Sequence, residues 1–173
     1  MTLAQDHQPQ TGWNPYSLDH DAQELVIQNR DQDNVLNESH KMRMSVAYGL
    51  ERFWGEHLRL LSDRNSQEKG RYWKSVWDKL EAILKTADIE LPNDSVKSNL
   101  PDKTKEEKKR KQEDESKKIK AMAARIWKMP IEDQRVALMV LTQFCDALVW
   151  WTQRYKIRMV IHLRSLKNGK ICL

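Results

Sequence analysis

Apolar side chains recur along this chain at helical spacing. Val46, Leu50, Phe53, Trp54, His57, Leu58 and Leu61 follow the order i, i+4, i+7, i+8, i+11, i+12, i+15, which sets them on one stripe of a helix. Its other side carries Arg52, Glu56, Arg59 and Asp63 at distances that suit local ion pairs. Residues 62–66 interrupt the pattern. A second face then opens near Gln67, with Tyr72, Trp73, Val76, Trp77, Leu80, Ile83, Leu84 and Ala87, and closes before Pro92. A turn this short predicts that the two helices form an antiparallel hairpin. Upstream, Ser17 is placed to cap a short helix through about Asn29, with Leu18, Ala22, Leu25 and Val26 on one side.

The second half is patterned differently. From Pro92 to about Ser116 the chain is a run of charge, including 103–111 and Glu113-Asp114-Glu115, and reads as a mobile linker or a solvated helical extension, the linker being favoured for its first half. Ile119, Met122, Ala123, Ile126 and Trp127 form the apolar stripe of a helix over 116–128, which Pro130 ends by disfavouring helical geometry in the residue before it. Pro130 suits the first turn of the next helix, where Glu132 and Asp133 complement the positive end of the dipole. Between Val136 and Trp151 almost every side chain is apolar, as in a helix at the centre of a bundle or at an interface repeated between subunits. The expected fold is all-α, a single helical bundle of about five helices. It spans residues 17–168 and is interrupted by a charged linker at about 92–115. A disordered arm over 1–16 precedes it and a tail over 169–173 follows.

Composition narrows this further. The chain has 173 residues, enough for one core. Five glycines leave little room for phosphate-cradling loops or for a turn-dense β domain. Two cysteines, Cys145 in an apolar run and Cys172 near the end, supply neither a disulfide framework nor a zinc set, which fits a reducing cytoplasm. The N-terminus lacks the basic start and apolar middle of a signal peptide. The longest apolar stretch, 144–151, is interrupted by Asp146, so a soluble cytoplasmic protein without membrane association is expected.

Candidate catalytic chemistry is sparse. His7, His20, His40, His57 and His162 show no metal-ligand spacing, and His57 on its apolar stripe reads as a core-edge histidine. Asp19-His20-Asp21 point three ways on a helix, a poor start for a metal site. No nucleophile elbow, Walker-type loop or pair of carboxylates on a shared face is found, and Cys145 lies too deep in apolar sequence for a reactive thiolate. Asp146 reads first as a capping or ion-paired residue. The expectation is a protein that is not an enzyme, with no catalytic residue, metal or cofactor.

Charge is the stronger signal. Residues 1–40 hold seven acids against Arg30 alone, 41–115 are nearly balanced, and 116–173 carry a net +9 of the overall +5. No acid follows Asp146. A surface of one sign attracts a partner of the other, and nucleic acid is the commonest polyanion for a basic protein. Lys117, Lys118, Lys120, Arg125 and Lys128 occupy positions between the apolar ones in their helix. Arg154, Arg158 and His162 share a face of the last one, with Lys156, Arg164 and Lys167 nearby. These residues, Lys118 apart, are the candidate nucleic-acid contacts, directed at the backbone of single-stranded RNA or DNA and weak in sequence preference, since no recognition-helix signature or aromatic interleaving accompanies them. Trp54, Trp73, Trp77 and Trp127 fall on core stripes, so packing rather than base stacking is expected of them. Trp150 and Trp151 cannot both point inward and are candidates for a partner interface.

A charged break between two helical halves, a very apolar penultimate segment and a basic end make the chain resemble the small subunit of a CRISPR RNA-guided effector complex. The resemblance covers roughly residues 40–165 and rests on Ile126-Trp127-Lys128-Met129-Pro130 leading into the stretch from Leu138 to Trp151. It implies a non-catalytic subunit of an antiviral ribonucleoprotein. Such a subunit works beside the other subunits of a guide-RNA-containing effector, self-associates in several copies and helps hold a target or displaced strand. The other reading is a helical adaptor that binds only protein through the 136–151 segment. The acidic N-terminal region is not part of the resemblance. Its charge suggests that residues 1–38 fold over the basic surface and lower non-specific affinity.

Overall fold

Helices account for all the regular structure among the described residues of the computed structural model, whose backbone is described over residues 15–168 except Asp33 and whose side chains are described from Ser17 to Tyr155. They are α1 Pro15–Asn29, α2 Glu38–Ser45, a 3-10 turn Val46–Tyr48, α3 Leu50–Ser62, α4 Gln67–Lys85, α5 Lys105–Trp127 and α6 Ile131–Asn168. The all-α expectation holds, with six α-helices described where about five were expected.

The hairpin of α3 and α4 is the aromatic centre. The Phe53 ring lies 4.9 Å from that of Trp73 and 6.2 Å from that of Trp77, and all three are buried. At the turn end Gly70 sits against Leu61 so closely that an added Cβ would meet the Leu61 side chain at 2.8 Å and its backbone nitrogen at 2.9 Å. With Phe53 beside Trp77 and Leu61 beside Gly70, the two helices run antiparallel.

Helix α6 crosses both α1 and α2. Ser39 Oγ from α2 lies 2.9 Å from both Tyr72 Oη of α4 and Thr152 Oγ1 of α6, so one buried hydroxyl cluster ties three helices. Burial pushes the Tyr72 phenol well above its ordinary range, which keeps it protonated and able to donate. Nearby, Glu38 is 1% exposed, accepts from Trp73 Nε1 at 3.0 Å and pairs with Lys41 at 2.8 Å. A buried carboxylate with two such partners is satisfied rather than strained.

Three boundaries differ from those expected. The stripe from Val46 to Leu61 is not one helix, because Gly49 takes φ 95° and ψ 168°, a region closed to other residues, and divides a short helix α2 from α3. Helix α1 starts at Pro15 instead of at a Ser17 cap, and the pre-set φ of proline suits that first position. The remainder of the arm, 1–14, and the tail, 169–173, lie outside the described residues.

The charged linker expected over 92–115 is helical from Lys105. Thr104 accepts from the Glu107 N–H while the Glu107 carboxylate accepts from the Thr104 N–H, a capping box that starts α5 within the charge run. The segment before it is anchored. Asp88 in left-handed geometry closes α4, the Ile89 N–H reaching the Leu84 carbonyl at 3.1 Å and the Asp88 N–H that of Lys85 at 3.2 Å. Ile89, Leu91 and Val96 are then buried, and Trp77 Nε1 donates to the Pro92 carbonyl at 3.1 Å.

Candidate nucleic-acid interface

Helix α5 presents two sides of opposite use. Its inner side buries Met122, Ala123 and Ile126, with Met129 just beyond its end, and among the described helices it packs against α3. Cations on the flanks of that side act as struts. Lys118 Nζ donates to the Lys97 carbonyl at 3.1 Å and pairs with Asp114 at 2.8 Å, while Arg125 pairs with Asp94 and with Glu90, the latter at 3.2 Å. Lys111 binds Asp102 at 2.9 Å. The hydrogen bond from Lys111 holds the Asp102 carboxyl below its usual range, and that from Lys118 does the same for Asp114. Ser98 N–H completes the set by donating to Glu115 Oε1 at 3.1 Å.

The outer side holds Lys109, Arg110, Lys117, Lys120 and Lys128, all exposed, and none has an ion-pair or hydrogen-bond partner for its side chain among the described residues. Arg110, Lys117 and Lys128 stand at i, i+7 and i+18, which is one line along the helix about 27 Å long at 1.5 Å per residue. Lys109 and Lys120 lie roughly 80–100° round to one side of it, with Glu106 and Glu113 between. A row of unpaired cations on a rigid rod can neutralise successive phosphates without reading bases.

Of the ten candidate contacts, Lys117, Lys120 and Lys128 therefore lie together and free on α5, while Arg125 is drawn into two ion pairs on its inner flank. Arg154 is exposed, stacks on the Trp150 ring and donates from Nη1 to the Trp150 carbonyl at 3.1 Å. Lys156, Arg158, His162, Arg164 and Lys167 lie on the helical backbone of α6, but their side chains fall outside the described residues. The two basic stretches are not neighbours: Lys128 adjoins the first turn of α6, and Arg154 stands about 35 Å along that helix. The cations that sequence reasoning missed, Lys109 and Arg110, were hidden by their glutamate neighbours in the charge run. Helical phase removes two of those acids, since Glu107 caps the helix and Glu115 turns inward, while Glu106 and Glu113 stay beside the two cations.

The tryptophans divide as burial dictates. Trp54, Trp73 and Trp77 are in the core, but Trp127 is 65% exposed, against the expectation that it packs. It is the last residue of α5, one step off the Met122–Ile126 stripe, and the chain turns away at Pro130 before any element covers it. Trp150 is 44% exposed, whereas Trp151 is half-buried, and its Nε1 is enclosed without a hydrogen-bond partner among the described residues.

Other groups with candidate chemistry are occupied. His57 is buried, and its Nδ1–H donates to the Trp54 carbonyl; burial lowers its pKa, so the ring is neutral at pH 7. Burial pushes the Cys145 thiol far above its usual range, away from thiolate chemistry. Asp146 is exposed and ion-paired with Arg43 of α2 at 2.5 Å. Among the described residues no group of three or more His, Cys, Asp or Glu side chains is arranged to hold a metal ion, and no helix is long and apolar enough to cross a membrane.

Comparison of the chain with protein-family models, with curated proteins and with solved structures finds no match.

Proposed function

We propose that this protein is a non-enzymatic, nucleic-acid-associated subunit of a larger assembly, a helical bundle whose α5 lays its outer face along a phosphate backbone. The observation that carries the reading is the line of Arg110, Lys117 and Lys128 with Lys109 and Lys120 beside it, exposed and unpaired on a helix where Lys111, Lys118 and Arg125 are used internally. The resemblance to CRISPR small subunits supplies the setting: a subunit that helps hold a target or displaced strand against a guide-bearing filament. Single strands suit one helix face better than a duplex groove, since the described face of α5 offers cations for a backbone and no set of base-reading side chains.

Anisotropy titration of the full chain with labelled single-stranded RNA, single-stranded DNA and duplex DNA tests this. Binding should weaken steeply with salt, and replacing Lys117, Lys120 and Lys128 by Gln should lower the log–log salt slope by about 2 on a single strand, at roughly 0.7 per lost phosphate contact. The same change at Lys118 should leave the slope nearly unaltered, because that side chain faces its own fold. Salt-independent binding, or none, would favour the second reading, a helical adaptor that binds protein only. The exposed Trp127, Ile131, Met139 and Trp150 support that reading.

A further inference from the structure

We propose that the outer face of α6 between Glu132 and Arg154 is the seam of a two-fold antiparallel dimer of this chain, centred on Gln143. The packed side of α6 is closed by Ala137, Leu141, Phe144, Cys145 and Leu148, all fully or nearly fully buried. Among the described residues the opposite side is left open although much of it is apolar: Val136 is 40%, Met139 63% and Trp150 44% exposed. These residues, the exposed Glu132, Gln143 and Arg154, and Ala147, which is 8% exposed at the stripe's edge, all fall within about 80° of helical phase at 100° per residue, so they form one stripe nearly six turns long.

The order along this stripe is self-complementary. A second copy laid antiparallel, with Gln143 against its own counterpart, sets Glu132 opposite Arg154 at both ends of the seam. Inside those ends Val136 meets Trp150, and the long Met139 meets the small Ala147. A two-fold contact requires every pairing to occur twice, and here each repeat is favourable: two opposite-charge pairs, two aliphatic–aromatic pairs, and an amide pair on the axis that can donate and accept to itself. Slipping the register by one turn brings Glu132 against Trp150 and loses both charge pairs.

The surroundings fit the same partner. An apolar groove of about 150 Å³ between α4 and α6, floored by Ile83, Leu84, Ala87 and Val140, borders Val136 and Met139, within reach of the second copy's Trp150. A cleft of about 560 Å³ beside Ala147, formed with Leu18 and Trp151, lies where Met139 of that copy arrives. The charges at the ends of the seam are weakly committed within one chain. Glu132 pairs with Arg135 at 3.2 Å while both remain exposed, and Arg154 rests on Trp150. This proposal is independent of the α5 surface, which lies on another helix.

Sedimentation of the full chain across a concentration series should show a monomer–dimer equilibrium. Glu132→Arg and Arg154→Glu should each weaken the dimer about tenfold by setting like charges at both ends, and the double exchange should restore it. The register is read separately by Gln143→Cys in a Cys172→Ser background. A cysteine on the two-fold axis should oxidise rapidly to a disulfide-linked dimer, whereas Gln112→Cys on α5 in the same background should not. A chain that stays monomeric at every concentration overturns the proposal. So does a dimer that ignores the charge exchange and cross-links no faster through residue 143 than through residue 112. The substitutions in α5 and α6 lie on exposed positions, and circular dichroism of each variant separates lost assembly from lost folding.

Discussion

Helices α5 and α6 leave the same turn and are the two longest described, with 23 and 38 residues, yet each is held on one side by a different kind of chemistry. Helix α6 is fixed by apolar burial: Leu141, Phe144, Cys145 and Leu148 show no exposure at all. Helix α5 buries only three side chains along its length and compensates with struts to the segment before it, from Lys111 to Asp102, Lys118 to the Lys97 carbonyl and Arg125 to Asp94. Their outer faces differ in the same sense. That of α5 is a line of unpaired cations, and that of α6 is a stripe of apolar residues closed by charges at its ends. One rod therefore suits a polyanion and the other suits a protein surface, and in each the anchoring side repeats in miniature the chemistry of the free one. A helix held mainly by exposed ion pairs gains little stability from them, which leaves α5 the more weakly held of the two.

That contrast can be broken most forcefully at the packed side of α6. Phe144→Ala should cost about 3–5 kcal/mol and lower the whole unfolding transition, since Phe144 has no exposed area and sits in the common core. Urea unfolding followed by circular dichroism measures it.

A smaller effect reaches the footing of α5. His57 of α3 lies beneath Val96 and Lys97, in the segment to which α5 is strutted, with Lys74 and Asp78 also facing it. Burial lowers its pKa below the ordinary 6.5, so below that pH the unfolded chain takes up a proton that the folded one refuses. Stability is then complete above pH 6.5 and falls as the pH drops through that value toward the lower folded pKa, with a slope of at most about 1.4 kcal/mol per pH unit. Melting temperatures between pH 7.5 and 5.5 should fall more steeply for the native protein than for His57→Gln.

The smallest and most local change is Thr104→Ala. Loss of the capping box should cost about 1 kcal/mol and appear as faster amide exchange in the first turns of α5, leaving α6 untouched. If α6 loosened equally, the two helices would be one cooperative unit and the contrast between them would fail.

Much of this architecture was legible in the chain because helical periodicity is a local property. The α3–α4 hairpin, the break at 63–66 and the helix after Pro130 all follow from residue spacing and from proline and turn chemistry. What escaped was set by single residues whose effect depends on geometry. Gly49 interrupts a stripe that reads as continuous, and Thr104 with Glu107 starts a helix inside a charge run that reads as linker.

At the candidate interface the sequence by itself determined that positive charge concentrates in the last third of the chain and that most apolar positions belong to helices. Tertiary structure alone decided which cations are free. Arg125 and Lys118 look identical to Lys117 and Lys120 in composition, but Glu90 and Asp94 claim the first and the Lys97 carbonyl the second. It also decided that the apolar run of α6 is covered on one side and open on the other. Local sequence establishes the phase of each helix, whereas the partners a side chain meets across 30 or more residues depend on how those helices pack, and packing is where charges are neutralised and apolar faces are hidden or left bare.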